Sequence, residues 1–366
     1  MLKHKDHFHG SDLEKIEEIY HIQKEDITSF SANVNPLGIS PLLRDTLSKH
    51  LDAITTYPDR EYAKLRKSIC DYTGAEFDNI IVGNGSTELI SLFIQTTHPQ
   101  KALILGPTYS EYEREIALEG GQTLYYPLKE EENFQMNVED FCSHLNDSLG
   151  LLVLCNPNNP TSTAISRKEM RRILDRAMQY GISVMVDETY EEFTDAGSKI
   201  SSIPLTNNYN NLIVLRGISK FFAAPGLRLG YAVTGNPDLL KYINTRKNPW
   251  TINSLAEIAG CIMFSDKEYI EKTRALITSE RNRLYQLLRT WKHVKVYPSC
   301  SNFLLVKILR EDVTSEMVFE HCIRKGLMIR DCSTFPFLDN SFIRFCVMSP
   351  EKNDELVEAL KELDLF

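Results

Sequence analysis

Short apolar runs alternate with amphipathic segments through the middle of the chain. Residues 149–155 form one unbroken apolar run, which is typical of a strand buried on both faces of a parallel sheet. The following segment, residues 167–180, carries apolar side chains three and four positions apart, and this spacing predicts a helix. A capping box formed by Ser166 and Glu169 marks the start of that helix, and Gly181 marks its end.

The same unit repeats on both sides of this pair. Strands are predicted at residues 79–82, 102–105, 123–126, 182–186 and 212–215, and helices at 61–73, 88–97 and 111–119. Repeated strand and helix units of this length predict an α/β fold, with a large domain built on a mostly parallel, doubly wound sheet.

Beyond about residue 250 the pattern changes. Residues 251–292 read as helices, including a long one at 267–291, and short strands are predicted around a helix at 314–325, namely at 295–297, 303–307, 327–330 and 342–347. This arrangement predicts a small α+β domain. We expect residues 46–255 to form the large domain, and residues 1–45 and 256–366 to form the small domain with its N-terminal segment.

Composition narrows the class of protein. Of the 366 residues, 42% are apolar and 25% are charged, as in ordinary globular proteins. The formal net charge of -9 argues against a nucleic-acid partner, because such proteins need a basic stripe on their surface. No apolar run approaches the ~20 residues of a membrane span. The eight cysteines include no CxxC pair, which favours reduced thiols in the cytoplasm over disulfides or a metal site.

Polar and small residues follow the predicted strands at the points where these strands end. In an open α/β sheet, ligands bind beyond the carboxyl ends of the strands, so these side chains are expected to converge on one crevice. They are Gly85, Ser86, Thr87, Tyr109, Asn159, Asp187, Tyr190, Ser219 and Lys220.

Together these residues suit one ligand. A glycine turn that opens a helix, with hydroxyl groups and Arg228 nearby, suits a phosphate, although such a turn alone is a weak signal and lacks the Walker or dinucleotide spacing. The other groups are an aromatic ring for stacking, an acid, an amide and a phenol for ring heteroatoms, and an amine that can form an imine. A lysine after a strand is ordinarily a solvated surface residue, but pyridoxal phosphate fits every member of this set.

Four segments carry a resemblance to a known family. Residues 214–231 (VLRGISKFFAAPGLRLGY), 156–161 (NPNNPT), 187–190 (DETY) and 35–38 (NPLG) together resemble the fold type I pyridoxal-phosphate enzymes of the class I/II aminotransferase family. The similarity covers nearly the whole chain. It implies a pyridoxal-phosphate cofactor and a homodimer.

The resemblance also implies roles for single residues. Lys220 is similar to the Schiff-base lysine, Asp187 to the partner of the pyridine nitrogen, and Asn159 and Tyr190 to the groups that bond the phenolic oxygen of the ring. The remaining roles are Tyr109 for stacking, Ser86, Thr87, Ser219 and Arg228 for the phosphate, Arg344 for the substrate carboxylate, and Tyr57 for the phosphate of the partner subunit.

Two positions depart from the family pattern. Gly217 stands where many relatives carry Ser or Thr, so that one phosphate-binding hydroxyl is missing. Ser162 replaces the glycine that usually closes the NPNNPTG loop, which we interpret as a tolerable change in a turn.

Within the family, residues 7–12, 29–38, 246–257 and 327–345 are more similar to the branch that decarboxylates phosphothreonine for cobalamin biosynthesis than to the branch that transaminates histidinol phosphate with 2-oxoglutarate. The second branch is the alternative. Phosphothreonine carries two anionic groups, so its enzyme needs two anion sites. Arg344 and Arg330 are the candidates, with His9 and Asn33 as further contacts, while a surface ion pair is an equal alternative for Arg330.

The wide spacing of His4, His7 and His9 favours a mobile terminus or a single substrate contact over a metal site. A non-catalytic binding module with the same fold is a further alternative, against which the joint presence of Lys220 and Asp187 argues. We also expect the small domain to close over bound substrate, because it contributes Arg330 and Arg344.

Overall fold

The computed structural model describes residues 12–195 and 197–366. Its helices, numbered in chain order, are α1 Leu13–Tyr20, α2 Pro41–Lys49, α3 Ala63–Thr73, α4 Gly85–Thr97, α5 Glu111–Leu118, α6 Val138–Ser143, α7 Arg167–Gln179, α8 Pro237–Arg246, α9 Ser254–Met263, α10 Lys267–Leu288, α11 Ser315–Ile323 and α12 Pro350–Lys361. Its strands are β1 Thr28–Ser29, β2 Ile80–Gly83, β3 Lys101–Gly106, β4 Gln122–Pro127, β5 Leu151–Cys155, β6 Ser183–Asp187, β7 Leu212–Gly217, β8 Gly230–Val233, β9 Val294–Val296, β10 Phe303–Ile308, β11 Leu327–Met328, β12 Arg330–Asp331 and β13 Phe342–Cys346.

A seven-stranded sheet with the order β2-β8-β7-β6-β5-β3-β4 forms the centre of the molecule. The strands from β7 to β4 are parallel, and β8 runs antiparallel to both of its neighbours. Every residue of β5 and β7 is buried, because helices cover both faces of the sheet. The predicted α/β class and the mostly parallel sheet are confirmed.

Alternate residues of the central strands enter two apolar cores, one on each face of the sheet. In β5, Leu152 and Leu154 join the larger core, which extends to the small domain. Leu151, Val153 and Cys155 join the other core, with Tyr112 of α5. The side-chain period of two therefore places the end of β5 and the end of β6 on the same face as α5.

Helix α7 forms as the sequence predicts. The Ser166 hydroxyl accepts a hydrogen bond from the Glu169 N–H, and the Glu169 carboxylate accepts one from the Ser166 N–H. The apolar side chains of one face are buried against the sheet: Met170, Ile173, Leu174 and Ala177. Gly181, just past the end, has a φ of +67°, which favours glycine.

Helix α4 begins at Gly85, three residues before the predicted start. Gly85, Ser86 and Thr87 therefore lie in its first turn, where backbone N–H groups have no partner inside the helix. The prediction was wrong because the segment GNGST was taken as a turn up to its last residue.

The C-terminal part contains a four-stranded antiparallel sheet with the order β12-β13-β10-β9. A separate two-stranded parallel pairing joins β1 to β11, with Thr28 opposite Leu327. The predicted strand at 327–330 is in fact two short strands, β11 and β12, on either side of Ile329. The exact domain boundaries stay a prediction. Among the described helices, none has both the length and the apolar character needed to cross a bilayer.

Candidate active site

A cavity of about 320 Å³ lies beyond the carboxyl ends of the parallel strands. All the predicted site residues except Tyr57 and His9 line it: Asn33, Gly85, Ser86, Thr87, Tyr109, Asn159, Asp187, Tyr190, Ser219, Lys220, Arg228, Arg330 and Arg344. The rule that ligands bind beyond strand ends explains the convergence of the residues that follow β2, β3, β5, β6 and β7.

Lys220 follows β7 and projects its amine into this cavity. The Nζ group donates a hydrogen bond of 2.6 Å to the carbonyl oxygen of Ala32. Burial lowers the pKa of Lys220 to about 8, and the positive charges of Arg344 and Arg228 contribute to the lowering. The amine is therefore neutral, and able to act as a nucleophile, in a large fraction of molecules near pH 8.

Asp187, at the end of β6, is buried and surrounded by hydrogen-bond donors. Its Oδ1 atom accepts bonds from the Thr189 N–H at 2.9 Å and from the Thr189 hydroxyl at 2.6 Å. Its Oδ2 atom accepts a bond of 2.7 Å from the Tyr112 hydroxyl. Burial, followed by the Asp187 charge, raises the pKa of Tyr112 well above its usual value, so the phenol remains a donor. Three donors thus hold the Asp187 carboxylate in place, in a position that suits the partner of a ring nitrogen.

One end of the cavity lies at the first turn of α4. A Cβ atom added at Gly85, whose φ is +80°, would lie 2.5 Å from the Nη2 atom of Arg228, so the guanidinium lies directly against the glycine backbone. A Cβ at Gly217 would lie 3.4 Å from the Ser86 hydroxyl and 3.9 Å from that of Ser219. The free N–H groups of a helix start, two hydroxyls and an arginine thus face one space, which fits a phosphate.

At the opposite end of the cavity, residues that follow the large sheet contact the N-terminal segment and the small sheet. The Asn33 side-chain amide donates to the Tyr190 hydroxyl at 3.3 Å. Arg344 donates to the side-chain oxygen of Asn159 and, at 2.6 Å, to the carbonyl of Ser31. Burial raises the pKa of Tyr190 to about 12, although Arg344 and the Asn33 bond act in the opposite direction.

Three buried polar atoms at this end have no hydrogen-bond partner within residues 12–195 and 197–366. They are the Oγ atom of Ser31, the Oδ1 atom of Asn33 and the Nε atom of Arg344. Because a buried polar atom without a partner is costly, these atoms mark positions where a polar ligand would fit.

Arg330 lies on β12, directly opposite Arg344 on β13. Its Nη2 atom donates to the Thr334 hydroxyl at 3.0 Å, and its guanidinium lies 5.4 Å from the centre of the Phe335 ring. Burial lowers the pKa of Arg330, and the nearby Arg344 adds to the effect. Two guanidinium groups on paired strands therefore face the same cavity.

Two predicted residues do not line the cavity. Tyr57 is 80% exposed and packs on Trp250, with 4.9 Å between the ring centres. His9 lies outside the described residues.

Tyr112 and Thr189 were missed at the sequence level. Thr189 could have been found, because a hydroxyl residue two positions after an aspartate commonly bonds its carboxylate. The contact of Tyr112 with Asp187 depends on packing between α5 and β6, which one sequence does not reveal.

The comparison with known families identifies the class of protein. The family described as "Aminotransferase class I and II" matches residues 25–360. The chain belongs to this family, and it is a pyridoxal-phosphate-dependent enzyme. The donors around Asp187 and the helix start beside Arg228 fit this cofactor.

Particular relatives extend the comparison. The chain is 40% identical over 332 residues to the "Putative threonine-phosphate decarboxylase" of Caldanaerobacter subterraneus subsp. tengcongensis, covering 91% of this chain and 89% of the relative. It is 30% identical over 355 residues to the threonine-phosphate decarboxylase of Salmonella typhimurium, covering 97% and 96%. The crystal structure of the histidinol-phosphate aminotransferase from Clostridium acetobutylicum is similar with a TM-score of 0.84 and 33% identity, covering 91% of this chain and 98% of that one.

Proposed function

We propose that the chain decarboxylates L-threonine O-3-phosphate and gives (R)-1-amino-2-propanol O-phosphate and carbon dioxide. The observation that carries the proposal is the pair Arg330 and Arg344 on opposed positions of β12 and β13, both facing the cavity that contains Lys220. A substrate with a carboxylate and a phosphate needs two such fork-shaped donors. The named decarboxylases among the relatives support the same activity.

In this proposal the cofactor lies between Lys220 and the first turn of α4. Arg228, Ser86, Thr87 and Ser219 hold its phosphate at the helix N-terminus. Asp187 pairs with the ring nitrogen, and Tyr109 packs on the ring. Asn159 and Tyr190 bond the phenolic oxygen.

Bound pyridoxal phosphate supplies an electron-poor ring that accepts the electron pair left when a bond at the α-carbon of the substrate breaks. Arg344 binds the substrate carboxylate, and Arg330 and Asn33 bind the substrate phosphate, with His9 as a further contact. The Lys220 amine, once released by the substrate amine, carries the proton that replaces the lost carboxylate at the α-carbon.

Orientation decides between carbon dioxide loss and amino-group transfer, because only a bond perpendicular to the ring shares its electrons with the ring. For decarboxylation, Arg344 would have to orient the substrate carboxylate so that its bond to the α-carbon is the one that breaks. If the bond to the α-hydrogen of the substrate were oriented for cleavage instead, the same contacts would favour transamination.

Histidinol-phosphate aminotransferase is the second candidate. The 33% identity with the Clostridium acetobutylicum enzyme over most of both chains favours it. Histidinol phosphate has one anionic group, so it would engage one of the two arginines.

The two candidates are separated by offering phosphothreonine alone and histidinol phosphate with 2-oxoglutarate to the cofactor-loaded enzyme. Carbon dioxide from phosphothreonine, without glutamate in the second reaction, is the expected result. Unphosphorylated threonine serves as a control for the phosphate requirement. Glutamate formation from histidinol phosphate, without carbon dioxide from phosphothreonine, would reverse the assignment.

A second copy of the chain is part of the proposal, with Tyr57 reaching the phosphate site of the partner. Its support is that the Tyr57 ring packs on Trp250 and that both are exposed, as are Leu51 and Ile54 a few residues before Tyr57 in the chain. Sedimentation should give a dimer. Mixing Lys220→Ala chains with Tyr57→Ala chains should restore activity, because one site of each mixed dimer is intact, and no recovery would contradict the exchange of Tyr57 between subunits.

A cytoplasmic location is part of the same proposal. All eight cysteines lie within the described residues as free thiols, which supports a reducing, cytoplasmic compartment.

A further inference from the structure

Ser162 lies in the loop between β5 and α7, three residues after Asn159. Its side chain is buried, and its φ of +57° lies in the left-handed region that favours glycine. A glycine would adopt this backbone freely, so the backbone gives no reason for a serine here. The hydroxyl group is what a serine adds.

That hydroxyl contacts the loop at residues 299–302, which leads into the small sheet. It accepts hydrogen bonds from the Ser301 N–H at 2.9 Å and the Cys300 N–H at 3.2 Å. It also lies 2.7 Å from the Ser301 hydroxyl and 2.8 Å from the Ser299 hydroxyl. A hydroxyl has one proton and two lone pairs, so two N–H donors and one of these two serines fill its capacity.

The contacted loop leads directly to Arg344. Strand β10 begins at Phe303, and its residue Leu305 pairs with Arg344 on β13. The neighbouring Asn302 side-chain amide donates to the Asn33 carbonyl at 2.9 Å. Arg344 in turn donates to Asn159, in the same loop as Ser162. The loop after β5 thus holds the small sheet at two points, Asn159 and Ser162.

We propose that Ser162 is a positioning residue, which fixes the small sheet against the loop after β5 and so determines where Arg344 holds the substrate carboxylate. The inference rests on the proposed function of Arg344.

The contacts can be tested without catalysis. In the cofactor-loaded enzyme, amide hydrogen exchange at Ser301 should be at least about 10-fold faster in Ser162→Ala and in Ser162→Gly than in the wild type. The Cys300 N–H keeps its bond of 3.2 Å to the Ser162 carbonyl in both variants, so its exchange is not the readout. Ser162→Gly removes the hydroxyl without straining the backbone, because glycine adopts a φ of +57° freely. Ser166→Ala is the matched control, because it removes a hydroxyl near the same loop that contacts α7 instead. Unchanged exchange in both Ser162 variants would overturn the proposal.

The positioning role is tested by kinetics. In both Ser162 variants the KM for phosphothreonine should rise about 5- to 10-fold, while the affinity for pyridoxal phosphate stays within about twofold. If exchange becomes faster while the KM stays unchanged, the Ser162 contact is purely structural, and the positioning role is overturned. If the wild type releases no carbon dioxide from phosphothreonine, the proposed function fails, and the exchange result together with the KM for 2-oxoglutarate, whose carboxylate Arg344 would then bind, still decides on Ser162.

Discussion

The two ends of the cavity are built in different ways. At the cofactor end, the groups come from strand ends of one sheet, and the Asp187 carboxylate has its donors in place. At the substrate end, the groups come from the N-terminal segment and the small sheet, and the Oδ1 atom of Asn33 and the Nε atom of Arg344 have no partner among the described residues. The cofactor end is thus preorganised, whereas at the substrate end the Arg344 Nε donor is completed by an anion of the ligand.

Lys220→Ala should have the largest effect, because it removes the amine that binds the cofactor and also carries the proton to the substrate. The visible absorbance of the lysine-linked cofactor should disappear, and kcat should fall by at least about 10³-fold, within the range for a positioned acid–base group. Lys247→Ala is the control, since the Lys247 amine bonds the carbonyl of Val82 outside the cavity. Retained absorbance in Lys220→Ala would refute the role of Lys220.

Arg344→Lys should affect the substrate end alone. A lysine keeps the charge but loses the fork geometry, so the KM for phosphothreonine should rise about 10- to 100-fold, as expected for charged hydrogen bonds worth about 1.5–3 kcal/mol. The cofactor absorbance should not change. Arg324→Lys, on the surface of the small domain, should leave the KM as it is. A loss of cofactor in Arg344→Lys would break the distinction between the two ends.

Gly85→Ala should affect the cofactor end alone. The added methyl group would lie 2.5 Å from the Arg228 guanidinium and displace it. The affinity for pyridoxal phosphate should fall about 10- to 100-fold, because a charged hydrogen bond to the phosphate is weakened. Gly74→Ala is a matched control, with a φ of +72° and open space around the position. Equal cofactor affinities in the two variants would contradict the contact with Arg228.

Tyr112→Phe should have a smaller effect at the same end. Loss of one donor to the Asp187 carboxylate, worth about 1.5 kcal/mol, should weaken cofactor binding about 10-fold. Tyr209→Phe removes a similar bond of 2.7 Å to Asp175 on the surface and should not change cofactor binding. Identical titrations of the two variants with pyridoxal phosphate would show that Asp187 does not need Tyr112.

The smallest expected change concerns pH. With a pKa of about 8, the Lys220 amine is mostly neutral at pH 9, so the rate of covalent cofactor attachment to the apoenzyme should rise only about twofold between pH 8 and pH 9. A free lysine side chain, with a pKa near 10.4, should gain about tenfold over the same interval. Nα-acetyl-lysine, which keeps a free side-chain amine, provides that reference. A parallel tenfold rise in the enzyme would mean that burial does not perturb the pKa of Lys220.

The same contrast explains what the sequence could predict. The parallel strands and α7 follow from apolar runs and caps that lie close together in the chain. The cofactor end follows from short motifs at the ends of these strands. The short helix α6, with six residues, is too short for a clear periodicity. Helix α12, by contrast, was missed although Ser349 and Pro350 mark its start.

The substrate end depends on contacts between distant segments. The opposition of Arg330 and Arg344 depends on the register of β12 and β13, and the contact of Ser162 with Ser301 depends on the docking of the small sheet. Neither follows from local propensity, because pairing register and domain docking are decided by packing across the whole fold. Ser162 could therefore be noted as an unusual residue in a turn, but its contacts could not be predicted.

The bond between Arg344 and the Ser31 carbonyl joins residues 313 positions apart in the chain. Contacts of such long sequence separation form late in folding, because the loop that they close has a high entropic cost. During synthesis, Ser31 emerges long before Arg344. The cavity is therefore complete only after nearly all of the chain has been made, and the cofactor meets a finished pocket late in the maturation of the enzyme.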